Sequence, residues 1–441
     1  MGRLSRWLAA GVAAGAFGLF VAEEAVAFDG FGEATADSTY DVEIEFDVEL
    51  VGDEPDRLEL LLRTPGGEGS FVTPVEPDRD SATYVWDTSI EYVTPNTPVT
   101  YQWRATVGDD VVLSDAQVIR YDDDREGLDW QSAQLGEATV HWYGDAEAQA
   151  RRFGELTAVG VEQGEQLMGT RLAGPVDVFV YATRDEFLGA LGPGAREWIG
   201  AVAYSELRTI FMWLEGGSPA YLEVAMVHEV THIVFHDATD NPYHDPARWL
   251  NEGIATWSEY NDAAGQRSIV EFEAGGGGLF SFDAITEQFP IGDRAAELSY
   301  AQGTTMVDLI VDRYGPEAVA RITAAYRDGA SDVEALEAGT GIPVDQLYAD
   351  YYAEFGVDTP QPISPDPIGP STVDRPAAGT IDPGGVEGGP TAPPADPAPV
   401  GGADRGVEVG TVPLLVLLAG GLIVAVAGAV RVSRRAARRA S

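Results

Sequence analysis

The sequence predicts an α+β chain: an all-β sandwich, then a small sheet with a helical lobe, and a membrane helix near the C-terminal end. Three observations support this prediction. Residues 39–50 alternate between apolar and polar side chains, long helical stretches appear only after about residue 127, and residues 411–430 carry no charge. The chain has 441 residues, which is enough for two or three domains.

Residues 1–27 have the organisation of a signal peptide. Arg3 and Arg6 form a basic start, an apolar stretch begins at Trp7, and Ala25-Val26-Ala27 is a small-x-small cleavage site. We expect cleavage after Ala27, with an uncleaved anchor as the alternative.

The C-terminal end has the organisation of a stalk, a membrane helix and a basic tail. Residues 358–410 are rich in Pro, Gly, Asp and Ala, which predicts a disordered stalk without a core. Residues 411–430 are long enough to cross a bilayer as a helix, and the arginines of residues 431–441 predict a cytoplasmic tail. We therefore expect a cell-surface protein with a single span and an extracellular N-terminal region.

Residues 28–125 have the pattern of a β-sandwich. In the string "TYDVEIEFDVEL", alternate residues from Tyr40 to Leu50 are apolar and the residues between them are acidic, which predicts a strand with one buried face. Further short apolar runs follow at regular spacing between turn residues, as in immunoglobulin or fibronectin domains. This segment has no cluster of catalytic residue types, so we expect it to act in spacing or recognition.

Residues 126–357 predict a mixed domain. The strings "EATVHWYG" and "PVDVFVYAT" read as strands with a long helix between them, and residues 207–214 read as a further strand. Helical patterns then continue to about Phe355, which indicates a small sheet followed by a helical lobe.

Composition limits the possible partners and cofactors. The formal charge is -45, and every basic residue is an arginine. Such an acidic surface repels nucleic acid, so we exclude DNA and RNA as partners. It suits either a high-salt or otherwise strongly ionic medium or a well-solvated extracellular surface, and composition does not choose between the two. The chain has no cysteine, which excludes disulfides and thiolate metal sites.

Four of the five histidines lie between residues 227 and 257. A helix over residues 220–236 is predicted, with Ser218 as its N-cap and Pro219 in its first turn. On this helix His228 and His232 are four residues apart, about 40° around the axis, so both imidazoles point from one face and can hold one zinc ion. Glu229 lies beside that position, where a general base for a zinc-activated water belongs.

A catalytic zinc ion needs a third protein ligand. After a polar loop, a second predicted helix, "RWLNEGIATWSEY", carries Glu252 twenty positions beyond His232. The loop is long enough to fold this helix back over the histidine pair. The sequence therefore predicts a site for one zinc ion formed by His228, His232 and Glu252.

The string "HEVTH" followed by "RWLNEGIATW" resembles the gluzincin zinc metallopeptidases, and residues 130–355 are similar to their peptidase MA-like domain. The resemblance implies a thermolysin-like fold, His228, His232 and Glu252 as zinc ligands, and Glu229 as the catalytic residue. It also implies that Tyr300, on a later helix, stabilises the oxyanion. An equally open alternative is that Tyr300 is a packed core aromatic.

Two departures from relatives bear on specificity. Aminopeptidases of this group hold the substrate amino terminus with a Gly-Ala-Met-Glu-Asn stretch, whereas the comparable region here runs from Gly200 to Tyr204 without a glutamate. This difference favours an endopeptidase. Thermolysin-like enzymes also place an aspartate one turn after the glutamate ligand, where this chain has Thr256, so the residues that orient the histidines are not predicted.

We expect the protein to hydrolyse peptide bonds, with the exposed edge of the 207–214 strand pairing with an extended peptide. The alternatives are a catalytically weak or inactive surface scaffold that retains zinc, an adhesive sensor or transport accessory, and hydrolysis of a non-peptide bond. Of the remaining histidines, His236 is expected to end its helix, His244 to line the cleft and His141 to be structural.

Overall fold

The computed structural model describes residues 28–65, 69–192, 200–215, 218–276 and 278–360. The predicted signal peptide, most of the stalk, the membrane helix and the basic tail lie outside these residues. Among the described helices, none combines the length and apolarity that crossing a bilayer requires. The chain divides into two compact units between Glu126 and Gly127.

The described part of the first unit consists of eight strands in two antiparallel sheets. They are β1 (Gly30–Thr39), β2 (Glu43–Val51), β3 (Arg57–Arg63), β4 (Phe71–Pro74), β5 (Ser81–Asp87), β6 (Thr97–Val107), β7 (Asp110–Leu113) and β8 (Gln117–Tyr121). One sheet has the order β1-β2-β5, and the other has the order β4-β3-β6-β7 with β8 also paired to β6. An immunoglobulin constant domain would place its fourth strand in the first sheet, whereas here β4 lies beside β3.

One core is shared by the two sheets. Ile44, Phe46 and Val48 of β2 are buried together with Leu60 and Trp103 of the second sheet, as their period-two spacing predicts. The prediction for Val42 is wrong, because this side chain is 49% exposed. Asp41 has a φ of 55°, so the chain turns there and β2 begins only at Glu43.

The second unit is built on a five-stranded sheet with the order β12-β13-β11-β10-β9. Its strands are β9 (Gln131–Leu135), β10 (Ala138–Trp142), β11 (Val176–Tyr181), β12 (Ala201–Tyr204) and β13 (Thr209–Trp213). β10, β11 and β13 are parallel, while β9 and β12 are antiparallel to their neighbours. Both faces are covered, because Val178 and Val180 pack into the main helical core and Phe179 and Tyr181 into a smaller aromatic cluster.

The expectation that the 207–214 strand has an exposed edge is wrong. β13 lies between β11 and β12, so among the described strands β12 forms that edge of the sheet. A 3-10 turn over Ser205–Leu207 and a left-handed Arg208 (φ 50°) fold β12 back onto β13. The sequence signal for β12 is weak because the strand has only four residues, all half-buried.

Nine helices complete the described part of the second unit. They are α1 (Glu147–Met168), α2 (Arg184–Leu191), α3 (Pro219–Thr239), α4 (Arg248–Ser258), α5 (Ala264–Gly275), α6 (Asp293–Tyr314), α7 (Glu317–Arg327), α8 (Asp332–Thr340) and α9 (Val344–Glu354). α4 and α6 cross at two glycines, since a Cβ on Gly253 would lie 2.6 Å from the Gly303 carbonyl. A mixed sheet followed by a helical lobe is therefore observed, as predicted.

Candidate metal centre

α3 begins where the sequence predicts and continues three residues further than predicted. Ser218 is its N-cap, with Oγ accepting a hydrogen bond from the Tyr221 amide at 3.2 Å, and Pro219 occupies the first position. The middle of the helix is buried, including His228 and Glu229. The histidine pair therefore lies on a helix held rigidly by the core.

His228, His232 and Glu252 are brought together by the packing of α4 against α3. The Nε2 atoms of His228 and His232 are 3.1 Å apart, and they lie 3.6 Å and 3.5 Å from Oε2 of Glu252. One ligand atom from each residue lies within 4.8 Å of the others. Among the described residues this is the group of three that can hold a metal ion.

The chemistry of this group fits a divalent cation. Oε2 of Glu252 is buried and has no hydrogen-bond partner in the described part of the chain. An orphaned buried carboxylate oxygen is costly unless a cation compensates for it. Burial favours the neutral acid, but the His228 and His232 imidazoles outweigh it and lower the pKa of Glu252 to about 2. Two imidazoles and one ionised carboxylate are a ligand set that zinc prefers, with room for an open position.

Two residues that the sequence motifs do not identify orient the imidazoles. Nδ1 of His228 is 3.0 Å from Oε1 of Glu259, and Nδ1 of His232 is 2.8 Å from Oδ1 of Asn251. Both oxygens are acceptors, so each ring donates from Nδ1 and directs its Nε2 lone pair toward the centre. In the described structure Thr256 makes no hydrogen bond to either imidazole. Glu259, seven residues or two helical turns after Glu252, orients His228 instead.

Glu229 lies beside the histidine pair and contacts the sheet edge. Its Oε2 accepts a hydrogen bond from the Ala203 amide of β12 at 2.9 Å, and its side chain is buried. It is not one of the three converging ligands. A carboxylate held next to a cation site, at the strand edge, is positioned to exchange protons with a water molecule there.

Tyr300 lies on α6 beside Glu252. Its side chain is 4% exposed, and its ring packs edge-on against Phe289 at 5.1 Å. Burial, followed by the negative charge of Glu252, raises the pKa of the Tyr300 hydroxyl well above its usual value. The hydroxyl therefore remains a proton donor at neutral pH, while the ring has the packing of a core aromatic.

The other three histidines lie apart from this group. His141 bonds Asp177 at 2.8 Å and stacks on Phe179, which is a structural role. His236 is in the last turn of α3. His244 is exposed in the loop before α4, and its ring lies edge-on to Tyr326 at 6.2 Å.

The described part of the second unit therefore combines a mixed sheet and a helical lobe with a His-His-Glu group that can hold one divalent metal ion. Residues 158–355 match the Peptidase MA superfamily. The match covers a little less than half of the chain, and it agrees with the resemblance that the two motifs indicated.

Solved structures are similar at low identity. The M1 zinc metallopeptidase from Deinococcus radiodurans is 15% identical, with 75% of this chain and 92% of that chain covered and a TM-score of 0.34. A mutant of that enzyme bound to a Tyr-Ser-Ala substrate is 14% identical, with coverages of 73% and 93% and a TM-score of 0.33. A Br derivative of BhCBM56 is 7% identical and covers 21% of this chain and 98% of its own, with a TM-score of 0.17. No curated protein sequence matches this chain.

Proposed function

We propose that this chain is a zinc-dependent peptidase, acting as an endopeptidase at the outer surface of the cell. The observation that carries this proposal is the convergence of His228, His232 and the orphaned Oε2 of Glu252 on one point, with Glu229 beside it. The superfamily match of residues 158–355 supports the same class of reaction.

His228, His232 and Glu252 would hold the zinc ion. The chemistry that zinc supplies when bound is polarisation of a carbonyl and activation of water at neutral pH. Glu229 takes the proton of the attacking water and delivers it to the leaving nitrogen. The Tyr300 hydroxyl, held in its protonated form beside Glu252, is the donor for the developing oxyanion.

β12 is the element that would align the peptide. In its pairing with β13, the Gly200 carbonyl faces β13 and accepts from the Trp213 amide, while the Ala203 amide faces Glu229. Backbone polar groups alternate along a strand, so those of Ala201 and Ala203 point away from β13. The Ala203 amide is bonded to Glu229, so an extended peptide can pair with the Ala201 amide and carbonyl and with the Ala203 carbonyl, and bring its backbone past Glu229.

The endopeptidase assignment follows from the side chains of the same strand. Ala201, Val202, Ala203 and Tyr204 carry no carboxylate, so β12 offers no charged partner to a substrate amino terminus. An enzyme that does not anchor the chain end can bind a peptide at an internal bond.

The attachment to the membrane is part of the proposal and is supported by the sequence. The uncharged residues 411–430 and the arginines that follow fit a single C-terminal span with the catalytic unit outside. Cell fractionation of the full chain and of a chain ending at residue 410 tests this point. The full chain should remain with the membranes after a high-salt wash, and the shortened chain should be released into the medium.

The catalytic proposal is tested with Glu229→Gln and His228→Ala in the full chain. Glu229→Gln should keep one zinc ion per chain and lose at least about 1,000-fold in the rate of peptide cleavage, because the proton acceptor is removed. His228→Ala should lose the zinc ion. Glu223→Gln, on the exposed side of the same helix, is the matched control and should cleave as the parent does. A parent protein that contains zinc but cleaves no peptide would support the alternative of an inactive surface scaffold.

A further inference from the structure

Arg248 is a cation at the metal centre, in a position that the helix dipole does not favour. It is the first residue of α4, one turn before Glu252, and it follows a helix start without a side-chain cap. Positive charge is unfavourable at a helix N-terminus, where the helix dipole favours acidic residues. Its placement therefore calls for another reason.

The guanidinium of Arg248 lies between the metal group and solvent. Its Nη2 is 3.6 Å from Oε1 of Glu252, which is too long for a good hydrogen bond. Its side chain is 48% exposed. Among the described residues it makes no side-chain hydrogen bond, so its donors remain available on the open side of the site.

A neighbouring loop holds the guanidinium in place. The Phe289 ring lies beneath it, with the ring centroid 5.1 Å from Cζ of Arg248. Phe289 in turn packs against Tyr300. The backbone amide of Arg248 donates to the Thr286 carbonyl at 2.7 Å, which ties this loop to the start of α4. A stacked guanidinium is fixed in orientation and presents its N–H groups as a planar fork.

We propose that Arg248, stacked on Phe289 beside Tyr300, is a specificity residue that binds a carboxylate of the peptide substrate. A carboxylate matches the guanidinium fork through two parallel hydrogen bonds. The carboxylate can belong to an acidic side chain or to the C-terminus of the substrate. This inference rests on the proposed peptidase function and adds a substrate class to it, namely peptides with a negative charge near the cleaved bond.

The experiment uses zinc-loaded full-length protein and internally quenched peptides made in matched pairs. One set of pairs differs by Asp against Asn at each position, and the other by a free C-terminal acid against an amide. The parent should show a kcat/KM ratio of about 10 or more in favour of the charged member at one position, because hydrogen bonds between charged groups are worth that factor. The set that shows the ratio identifies the source of the carboxylate.

Arg248→Gln and Arg248→Lys should lose most of this ratio. The matched control is Arg151→Gln, since Arg151 also has an i,i+4 glutamate partner, stacks on a ring (that of Trp142) and has a 45% exposed side chain, but lies on α1. Arg151→Gln should keep the parent ratio. Zinc content measured by mass spectrometry should stay at one ion per chain in every variant.

A second readout needs no turnover. Dissociation constants of the same peptide pairs are measured on the Glu229→Gln protein with and without Arg248→Gln, and the charged member should bind about tenfold more tightly only when Arg248 is present. Equal binding and equal cleavage of both members would overturn the inference while leaving the peptidase intact. A loss of zinc in Arg248→Gln, with both members affected equally, would also overturn it, because Arg248 would then only position Glu252. Absence of cleavage by the parent would refute the proposed function, and the binding data would still decide the role of Arg248.

Discussion

Replacement of Gly303 by alanine should separate the two helices that carry Glu252 and Tyr300. An added Cβ on Gly303 would lie 2.4 Å from the Trp249 carbonyl oxygen and 3.3 Å from its carbonyl carbon. Ordinary contact begins at 3.4 Å, so α4 and α6 must move apart by about 1 Å. The atoms in conflict are backbone atoms, which cannot rotate away as a side chain does.

The displacement acts directly on the site. Trp249 lies three residues before Glu252 on α4, and Gly303 lies three residues after Tyr300 on α6. Overpacking of this kind costs about 1–3 kcal/mol in the free energy of unfolding, which is about 2–10 °C in Tm for a domain of this size. A shift of about 1 Å in a catalytic group can cost about 100-fold in rate. We also expect zinc affinity to fall at least tenfold, because Glu252 is displaced from the histidine pair.

Calorimetry, chelator competition for zinc and kcat/KM on one peptide measure the three effects. Gly339→Ala is the control for stability alone, because its Cβ would lie 2.1 Å from an Ile322 side-chain carbon at the α7–α8 contact, away from the metal group. It should lower Tm and leave zinc affinity unchanged. Gly265→Ala has open space around its Cβ. It should leave zinc affinity and kcat/KM unchanged and raise Tm slightly, because alanine favours a helix more than glycine does. If Gly303→Ala bound zinc as tightly as the parent, the reasoning from the helix crossing would be refuted.

Three further predictions concern other parts of the molecule. Glu259→Ala and Asn251→Ala should each lower zinc affinity about 10- to 100-fold in chelator competition, with circular dichroism unchanged, because each removes the acceptor that orients one imidazole. Tyr300→Phe should lower kcat about 100- to 1,000-fold at constant zinc content if its hydroxyl serves the oxyanion, and an unchanged kcat would leave Tyr300 with packing alone. Asp37→Asn removes one of two carboxylates that face each other across strands, the other being Glu45, and should stabilise the sandwich by about 0.2–1 kcal/mol in urea unfolding at low salt. That gain should disappear in about 2 M salt, and a gain independent of salt would contradict an electrostatic origin.

Relations within one helix could be predicted from the sequence because helix geometry fixes them. The four-residue spacing of His228 and His232 places both rings on one face of any helix, and the structure has them there. Placement of Glu252 against the pair required only that the loop before α4 allow that helix to pack on α3. The period-two alternation in β2 likewise fixed the buried face from Ile44 onward.

Contacts between residues on different helices or strands are harder to predict from the sequence. Thermolysin-like enzymes orient a histidine with an aspartate one turn beyond the glutamate ligand, where this chain has Thr256, so the sequence does not predict the orienting residue. The structure uses Glu259, two turns beyond, because α4 continues to Ser258 and its cap residue still faces His228. Helical periodicity allows both spacings, and only the angle between α3 and α4 decides which side chain reaches the ring.

The identity of the edge strand is a second relation between elements that the sequence does not predict, and it decides which strand a peptide could pair with. β13 has five residues rich in apolar side chains and was readily predicted, whereas β12 has four half-buried residues and a backbone that turns at Arg208. The order of strands in a sheet is decided by contacts between strands. The residue pattern of a single strand does not encode that order.

The bond between the Ala203 amide and Glu229 joins peptide recognition to proton transfer. These residues are 26 positions apart in the sequence, and the contact forms because β12, at the edge of the sheet, packs against α3. A peptide that pairs with β12 would lie along the strand whose amide already holds the proposed base. Under the proposed function, strand pairing would set the position of the scissile bond relative to Glu229, and the alanine side chain at position 203 would give the substrate amino terminus no charged partner. In the proposed endopeptidase the edge strand, which carries no catalytic side chain, would determine both where the substrate is cut and that it is cut internally.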